Sequence, residues 1–592
     1  MRWGAAALAA ASVLGIIVLA GGLLLVADGL FARSHERRAQ ASLTAARVEL
    51  QAGRTGTALA DLQRAAREAD QASRLTDGPL WHLGGHLPVA GDTLHEVAAL
   101  ARIVADVSHQ SLPTLATAVR ALDRGELRRP DGSLDIARLQ AVAPAAINAD
   151  AALAHARTQL QALPDSHLIA SVAHARATVV DDVTRLSSTI HGAALVSRLA
   201  PAMLGGQGRR SYLVALLNPA EARGSGGIPG SWAVVHADEG RLTLERVGSD
   251  DDLGPSPRNP ATVPAVDLGP AYHQLWGSYG GDGRWLDATI GTDFPQAARV
   301  LQAVFTRATG EHVDGVVALD PVALDELLTP LGGVNLTTGE YLPPGKVAPF
   351  TMQELYSRYP SFGLDAQRKE VLTGLTTMAF ARLTQSTSSL APLLAAVGQA
   401  TGERRIKLWS DRPAEQELLA PLPVAAAMPT APGPFAALSV SNATGGKLEY
   451  YLDRSLDYTA AGCQGDTRTA TVTARLTDTA PTDLPASVTF RQPEVPRGAA
   501  PGDDRLLVTV ALAVGAVPRQ VTLDGIPLPR SDYGVSVDHA HSAVQTYVEL
   551  PRGRPVTLTV TDTEPTRGPV QPSLVQPLVR PQTGREDVAS CS

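Results

Sequence analysis

YLVALLNPAEARGSGGIPGSWAVVHA, residues 212–237, is the stretch on which the fold turns. Tyr212 to Leu217 is a continuous apolar run closed by Asn218-Pro219, which predicts a central strand covered on both faces and ended by a proline that cannot extend a ladder. Glu221 and Arg223 follow at its C-terminal end, where open α/β sheets gather their ligand groups. The run from Gly224 to Gly230 carries two readings. In one, Gly226 and Gly227 let backbone N–H groups converge on an anion. In the other, they turn the chain as a hairpin into a second strand at Trp232–His236. No Gly-Lys-Ser/Thr follows and the spacing departs from GxGxxG, so the signatures of a P-loop and of a dinucleotide fold are both missing.

Downstream, Ser231–His236 and Arg241–Val247 read as a hairpin across Asp238-Glu239-Gly240. Asp250-Asp251-Asp252 is either a solvated turn or a carboxylate cluster able to hold Mg²⁺ with substrate phosphates, with Asp251 and Asp287 as the metal candidates. The Pro/Gly-rich excursion Gly254–Gly283 is long enough for a flap or a substrate-covering loop. Its aromatics, Trp276 and Tyr279, with Trp285 just beyond, suit sugar stacking or a small local core. Asp293 is placed as the N-cap of a helix with Pro295 in its first turn and an apolar stripe of Ala298, Leu301, Val304 and Phe305. A second buried strand at Val313–Leu319, a helix at Pro321–Leu331 capped by Gly332-Gly333, and a strand at Val334–Leu336 follow. Arg358 and Arg368 flank a loop and, converging with Arg223, would match the oxygens of a diphosphate.

The chain has 592 residues and a formal net charge of −8, which argues against a nucleic-acid partner. Lysine occurs only at Lys346, Lys369, Lys407 and Lys447, so basic charge is carried almost wholly by arginine. Residues Trp3 to Ala27 carry no charge and are long enough to cross a bilayer, so residues 1–32 read as a single-pass membrane anchor, a signal peptide being the competing reading. Arg33, Arg37 and Arg38 beyond the span would place the bulk of the chain inside. Long C-terminal domains translocate largely regardless of such charges, and the two cysteines suit an oxidising compartment, so an extracytoplasmic location is expected. Residues 33–206, rich in alanine, leucine and arginine at helical spacing, form a stalk or bundle. Gly84, Gly85 and Pro88 deny His82 and His86 the shared helical face that a metal cluster with His95 would need. Residues 207–420 alternate strands with helices and predict an α/β domain, residues 421–434 a Pro/Ala-rich linker, and residues 435–592 a β-sandwich-like domain. A disulfide between Cys463 and Cys591 would staple that domain; two unrelated thiols are the alternative. His539 and His541 share a face there and are expected to be exposed.

The segments NPAEARGSGGIPGS, WLDATIGTDFPQAAR and VDGVVALDPVALDELLTPLGGV resemble bacterial membrane proteins that carry the domain of unknown function DUF4012. The resemblance covers about Ser211 to Arg382. DGVVALDPVALDELLTPLGGV and the Asp365…Arg368 segment are also similar to LytR-CpsA-Psr (LCP) proteins. Those attach polyprenyl-diphosphate-linked glycopolymers to the wall, with arginines on the diphosphate and aspartates on Mg²⁺. The likeness implies an LCP-like mixed sheet with flanking helices. It would give Arg223 and Arg368 the roles of diphosphate-gripping arginines, and Asp250–Asp252 that of the acidic end of a Pro-Arg-Asp motif. That motif itself is missing, and the paired arginines expected before the late helix are reduced to Arg358. Two functions follow as expectations. One is an envelope protein that binds a lipid-linked phosphorylated glycan through Glu221, Arg223, Gly226, Gly227, Arg358 and Arg368, with transfer to the wall left open. The other is a non-catalytic scaffold. A serine hydrolase ranks below both, since there is no GxSxG and Ser225 has no assignable histidine.

Overall fold

The computed structural model describes residues 128–163, 170–255, 263–386, 390–493, 495–496, 500, 502–571 and 574–589, together with scattered positions between 60 and 110. The apolar run Trp3–Ala27, His82, His86 and Cys591, and with it the pairing to Cys463, lie outside the described residues. Among the described residues no helix is long and apolar enough to cross a membrane.

Two compact units divide the chain. The first spans Met1–Arg209, Ala237–Leu242 and Thr387–Ala395. In it, helix α1 (Ile136–Gln161) starts at Asp135, whose carboxylate accepts from the Arg138 N–H at 3.2 Å. Ala149, Ala152, Leu153, Ala156 and Leu160 recur every three to four residues and are buried, the single stripe expected of a helix packed on one side. Helix α2 (Ala170–Met203) packs along it.

The second unit, which holds the remainder, contains both the α/β and the β portions. Its first sheet has the order β3-β2-β1-β4-β7, from β1 (Arg210–Arg223), β2 (Gly226–Asp238), β3 (Arg241–Ser249), β4 (Gly315–Leu319) and β7 (Ile406–Ser410). The predicted central strand is β1, parallel to β4 from Tyr212↔Gly315 to Leu216↔Leu319. It does not stop at Pro219 as expected. The last β4 partner is opposite Leu216, so a missing N–H at Pro219 costs no ladder bond on that side and the strand runs on to Arg223. The β2–β3 turn lies where predicted, with Glu239 at φ 45° and Gly240 at φ 83°.

Helix α4 (Phe294–Thr309) covers one face of this sheet. Asp293 caps it, Pro295 sits in its first turn, and Gly310 ends it in the left-handed region. Phe294, Ala298, Leu301, Val304 and Phe305 are buried against Leu213, Ala215, Leu217, Trp232 and Trp409. Each large side chain so buried contributes about 1.5–3 kcal/mol. Helix α5 (Pro321–Leu328) follows β4, capped by Asp320, and its carboxylate Asp325 accepts from the N–H groups of Gly345, Val347 and Ala348. The expected strand after it pairs as β5 (Val334–Asn335) with β6 (Tyr341–Leu342). The Gly254–Gly283 excursion is not an open flap where it is described. Helix α3 (Pro270–Trp276) buries Tyr272, Leu275 and Trp276 together with Ile290, Leu507 and Ala543, which is the local-core reading of its aromatics.

The β portion is two facing sheets. One has the order β14-β15-β11-β8-β17 (Gly534–Asp538, His541–Leu550, Asp504–Val514, Ala436–Asn442, Leu574–Val575). The other runs β13-β12-β16-β10-β9-β18, with β19 also on β9 (Ile526–Pro527, Val517–Leu523, Val556–Pro565, Thr467–Asp478, Leu452–Ala460, Gln582–Thr583, Glu586–Val588). Ala470, Val472, Ala474 and Leu476 meet Val508, Val510 and Val544 in one core, which also takes Ala222 from β1. Residues 421–434 pack rather than hang as a linker: Leu422, Ala425, Ala426 and Met428 are buried.

Candidate functional site

The C-terminal end of β1 is where sequence placed the chemistry, and its backbone geometry settles what the glycines do. Gly226 and Gly227 open β2 of a hairpin whose turn is Gly224-Ser225. The Gly224 and Ser225 N–H groups donate to the carbonyls of Ile290 and Thr289 at 3.2 and 2.9 Å, and the Thr289 hydroxyl donates to the Gly227 carbonyl at 2.8 Å. These polar groups are spent on the Trp285–Gly291 segment. Ser225 is no nucleophile either; it is buried and donates to the Gly291 carbonyl at 2.7 Å. The glycines serve close approach. A Cβ on Gly227 would run into the Asn218 carbonyl, and one on Gly224 into that of Ile290. Gly227→Ala is therefore expected to cost about 1–3 kcal/mol by overpacking, read as a lowered urea midpoint.

Arg223 is a strut. Its Nη1 donates to the carbonyls of Ala222 and Asn442 at 3.0 and 3.1 Å, and its Nη2 to Asp287 at 3.0 Å. Asp287 is also held by Arg284 at 2.6 Å. One carboxylate thus sits between two guanidiniums, each of its oxygens already facing a cation. The backbone on the other side is gripped from far along the chain. Gln576, 1% exposed, donates to the carbonyls of Arg223 and Val440, each at 2.7 Å, and accepts from the Val440 N–H.

Glu221 belongs to a different cluster. Its two oxygens take Lys447 Nζ at 3.0 Å and Asn218 Nδ2 at 2.8 Å. Lys447 and Arg368 both lie about 5 Å from the Tyr356 ring centroid, at 5.1 and 5.0 Å. Burial pulls Lys447 down, but the Glu221 carboxylate outweighs it and holds the ammonium above its ordinary value. Burial pulls the Arg368 guanidinium below its own, and pushes the Tyr356 phenol up to about 12. Arg368 opens helix α6 (Asp365–Gln385); it pairs with Asp365 and donates to the Tyr359 carbonyl at 2.6 Å, closing the loop before the helix.

The remaining predicted groups do not join either cluster. Arg358 is two residues from Tyr356 in the same helical turn, which places the two side chains about 200° apart. It forks onto Glu340 at 2.7 Å through both Nη atoms, pairs with Glu354, and lies over Phe350. The Glu340 bonds, then those of Glu354, hold its guanidinium above its ordinary value. Asp251 is exposed and pairs with Lys369 at 2.5 Å, beside Asp250 at 2.9 Å. Asp252 instead accepts from the Ser249 N–H. Asp251 and Asp287 share no partner, each is already neutralised by a protein cation, and no group of three or more His, Cys, Asp or Glu among the described residues could hold a metal ion. The carboxylates do not fit a Mg²⁺ site.

His539 and His541 are not the exposed pair expected. His541 is fully buried, with its ring nitrogens 2.6 Å from the Leu512 and Pro429 carbonyls. His539 lies between Asp538 at 2.8 Å and Asp293 at 3.4 Å. Sequence reasoning also passed over Lys447, Arg284 and Gln576. The signal for Lys447 was its rarity: in a chain that writes basic charge as arginine, three of the four lysines, Lys369, Lys407 and Lys447, stand in clusters of charge.

Residues 207–356 match the family described as protein of unknown function DUF4012, a span that runs from just before β1 to Tyr356. A search of curated proteins finds no match for the chain.

Proposed function

We propose that this chain is a membrane-anchored, extracytoplasmic envelope protein whose second compact unit is a non-catalytic scaffold or interaction module. One observation carries the reading: the charged groups that phosphoryl chemistry would need are each committed to separate protein partners. Arg223 holds Asp287, Arg358 holds Glu340 and Glu354, Arg368 holds Asp365, and Asp251 holds Lys369. A diphosphate bound by these arginines would have to compete with four ion pairs, against the usual logic of a preorganised site. The anchor rests on the uncharged Trp3–Ala27 run.

The LCP-like reading, in which a polyprenyl-diphosphate-linked glycan is bound and transferred, keeps one supporting observation. Arg368, Lys447 and Tyr356 do gather around Glu221 at the C-terminal end of β1. Arg223→Ala separates the two. On the scaffold reading it lowers stability by about 2 kcal/mol, through loss of the Asp287 pair and of the Asn442 contact, and leaves binding of vesicles containing a polyprenyl diphosphate unchanged. A folded variant that loses binding tenfold or more would reinstate the glycan reading.

A further inference from the structure

We propose that a buried imidazolium at His541 latches the strained segment Ala426–Pro429, where the chain crosses from the α/β portion to the sandwich, and that the latch opens when this ring loses a proton. None of the groups assigned to a ligand above takes part, and the latch does not depend on the scaffold reading.

His541 opens β15 and is 0% exposed. Its Nδ1 lies 2.6 Å from the Leu512 carbonyl oxygen, and its Nε2 2.6 Å from that of Pro429. A carbonyl oxygen only accepts, and a neutral imidazole carries one N–H, so in the neutral ring one contact would set a nitrogen lone pair against an oxygen. Turning the ring over would bring C–H groups to the same places, well inside the roughly 3.3–3.6 Å of a C–H···O contact. Both contacts are hydrogen bonds only when both nitrogens are protonated. The Leu512 carbonyl is there to accept because the β11–β15 register shifts between Ala511 and Val514, taking Leu512 out of that ladder. The Phe435 ring lies 4.4 Å from the imidazole, centroid to centroid, where its π-system favours a cation.

The segment that His541 grips needs holding. Ala426, buried, stands at φ 46°, a left-handed backbone that a residue with a Cβ keeps only where its surroundings impose it. Arg404 donates to the Ala426 and Ala427 carbonyls at 2.7 and 3.3 Å, Asp293 accepts from the Met428 N–H at 2.9 Å, and His541 reaches the Pro429 carbonyl. The chain from Ala426 to Asn442, and around Leu512, carries no charge. The charged groups nearby are Asp538, directly opposite His541 on β14; His539, between Asp538 and Asp293; and Arg404. Burial, then Asp538, Asp282 and Asp293, pushes the Tyr272 phenol up, so it stays neutral. Burial pulls His539 down, but its bonds to Asp293 and Asp538 push it up to about 10, and burial brings Arg404 down only to about 10. Both therefore stay charged at neutral pH, which leaves His541 as the cationic tether able to change there. Without its second proton the ring faces one carbonyl that it cannot bond. Leu512 is fixed by its ladder to Ala436, so Pro429, at the end of the strained segment, gives way. The latch is shut in acid and opens as the pH rises through the range where imidazoles titrate.

The test follows amide hydrogen exchange of the Ala426–Phe435 segment in the full chain in detergent, corrected for the intrinsic pH dependence of exchange. Wild type should lose protection there by about tenfold or more between about pH 5.5 and about pH 8.5, the scale of one hydrogen bond to a charged group, while the β11 amides keep theirs. His539→Gln should retain this step and His541→Gln should abolish it. With ring-¹⁵N-labelled histidine, the signal that His541→Gln removes should show both nitrogens protonated in acid and lose one proton where protection falls. If His541→Gln does not fold, the wild-type step and its persistence in His539→Gln decide the matter. Uniform protection in wild type across the range, a step that survives His541→Gln, or a step lost in His539→Gln would overturn the latch.

Discussion

Asp293→Ala is expected to cost about 3–5 kcal/mol, because one carboxylate serves three elements. It caps α4 by accepting from the Gln296 N–H at 3.1 Å, accepts from the buried Met428 N–H at 2.9 Å, and faces His539 at 3.4 Å. Loss of the cap alone is worth about 1 kcal/mol. The stranded Met428 N–H adds about 1–3 kcal/mol, and the weakened His539 contact adds to that. His539 is half-buried, which lowers its pKa, but its bonds to Asp293 and Asp538 outweigh the burial and push the imidazole up to about 10. A histidine raised in the folded state contributes stability that is complete below its unfolded pKa of about 6.5 and is lost as pH rises through about 10. Urea unfolding at pH 6 should therefore show the full loss in Asp293→Ala, with Asp293→Asn recovering the cap and not the ion pair. A change below about 1 kcal/mol for the alanine variant would mean that the three contacts do not act through this carboxylate.

That residue also marks how far the sequence could be read. Asp293 was legible as an N-cap because a cap is local: the acceptor, the proline and the apolar stripe all lie within a few positions. The same holds for the Glu239-Gly240 turn, for Gly332, and for the alternation in β10 and β16; β11, expected to alternate likewise, is buried on both faces from Leu506 to Ala513. What escaped is whatever depends on distant partners. Nothing near Arg223 announces Asp287 or Asn442, and Gln576 reaches β1 from 353 positions away. Strand β1 outran its prediction because Pro219 was read without knowing that β4 had already ended.

The site suffered from the same limit in a sharper form. Arg223, Arg358, Arg368, Asp251 and Asp287 are the residue types that bind phosphate and metal, and sequence alone shows types. Which carboxylate neutralises which arginine is a tertiary fact, and it separates a binding cleft from a set of struts. The four lysines were the better clue. Lys447 completes the Glu221 cluster and Lys369 the acidic turn, while Lys407 remains without a partner.

Stability should fall as pH rises from about 4 to about 7, the reverse of an ordinary acid-labile protein. The β portion buries carboxyls that lack the partners needed to stay ionised. Burial, then repulsion from Glu564, pushes Asp562 up to about 7, and neither of its oxygens has a hydrogen-bond partner. Burial pushes Asp478 up to about 6, against a bond from the Ala480 N–H. Glu449 and Asp504, both fully buried, are raised by burial and then by acidic neighbours, Asp504 for Glu449 and Asp478 for Asp504. A carboxyl raised on folding keeps a proton that the unfolded chain releases near pH 4. The folded state therefore binds more protons in this window and loses stability as the pH climbs. For Asp562 alone the shift corresponds to about 4 kcal/mol across the window, and the set to more, before relaxation reduces it. His539 adds a loss of the same sign above its unfolded pKa. Lys407 acts oppositely above about 7, since burial pushes its amine down to about 7 and the unfolded chain then holds the extra proton. The fall should accordingly be steepest below neutrality. Urea midpoints measured at half-unit intervals from pH 4.5 to 8 should decline, and Asp562→Asn should flatten that decline, costing little at pH 5 and stabilising at pH 8. A midpoint that climbs over this range, or an asparagine variant that tracks wild type at every pH, would show that these carboxyls find solvent or partners when they ionise.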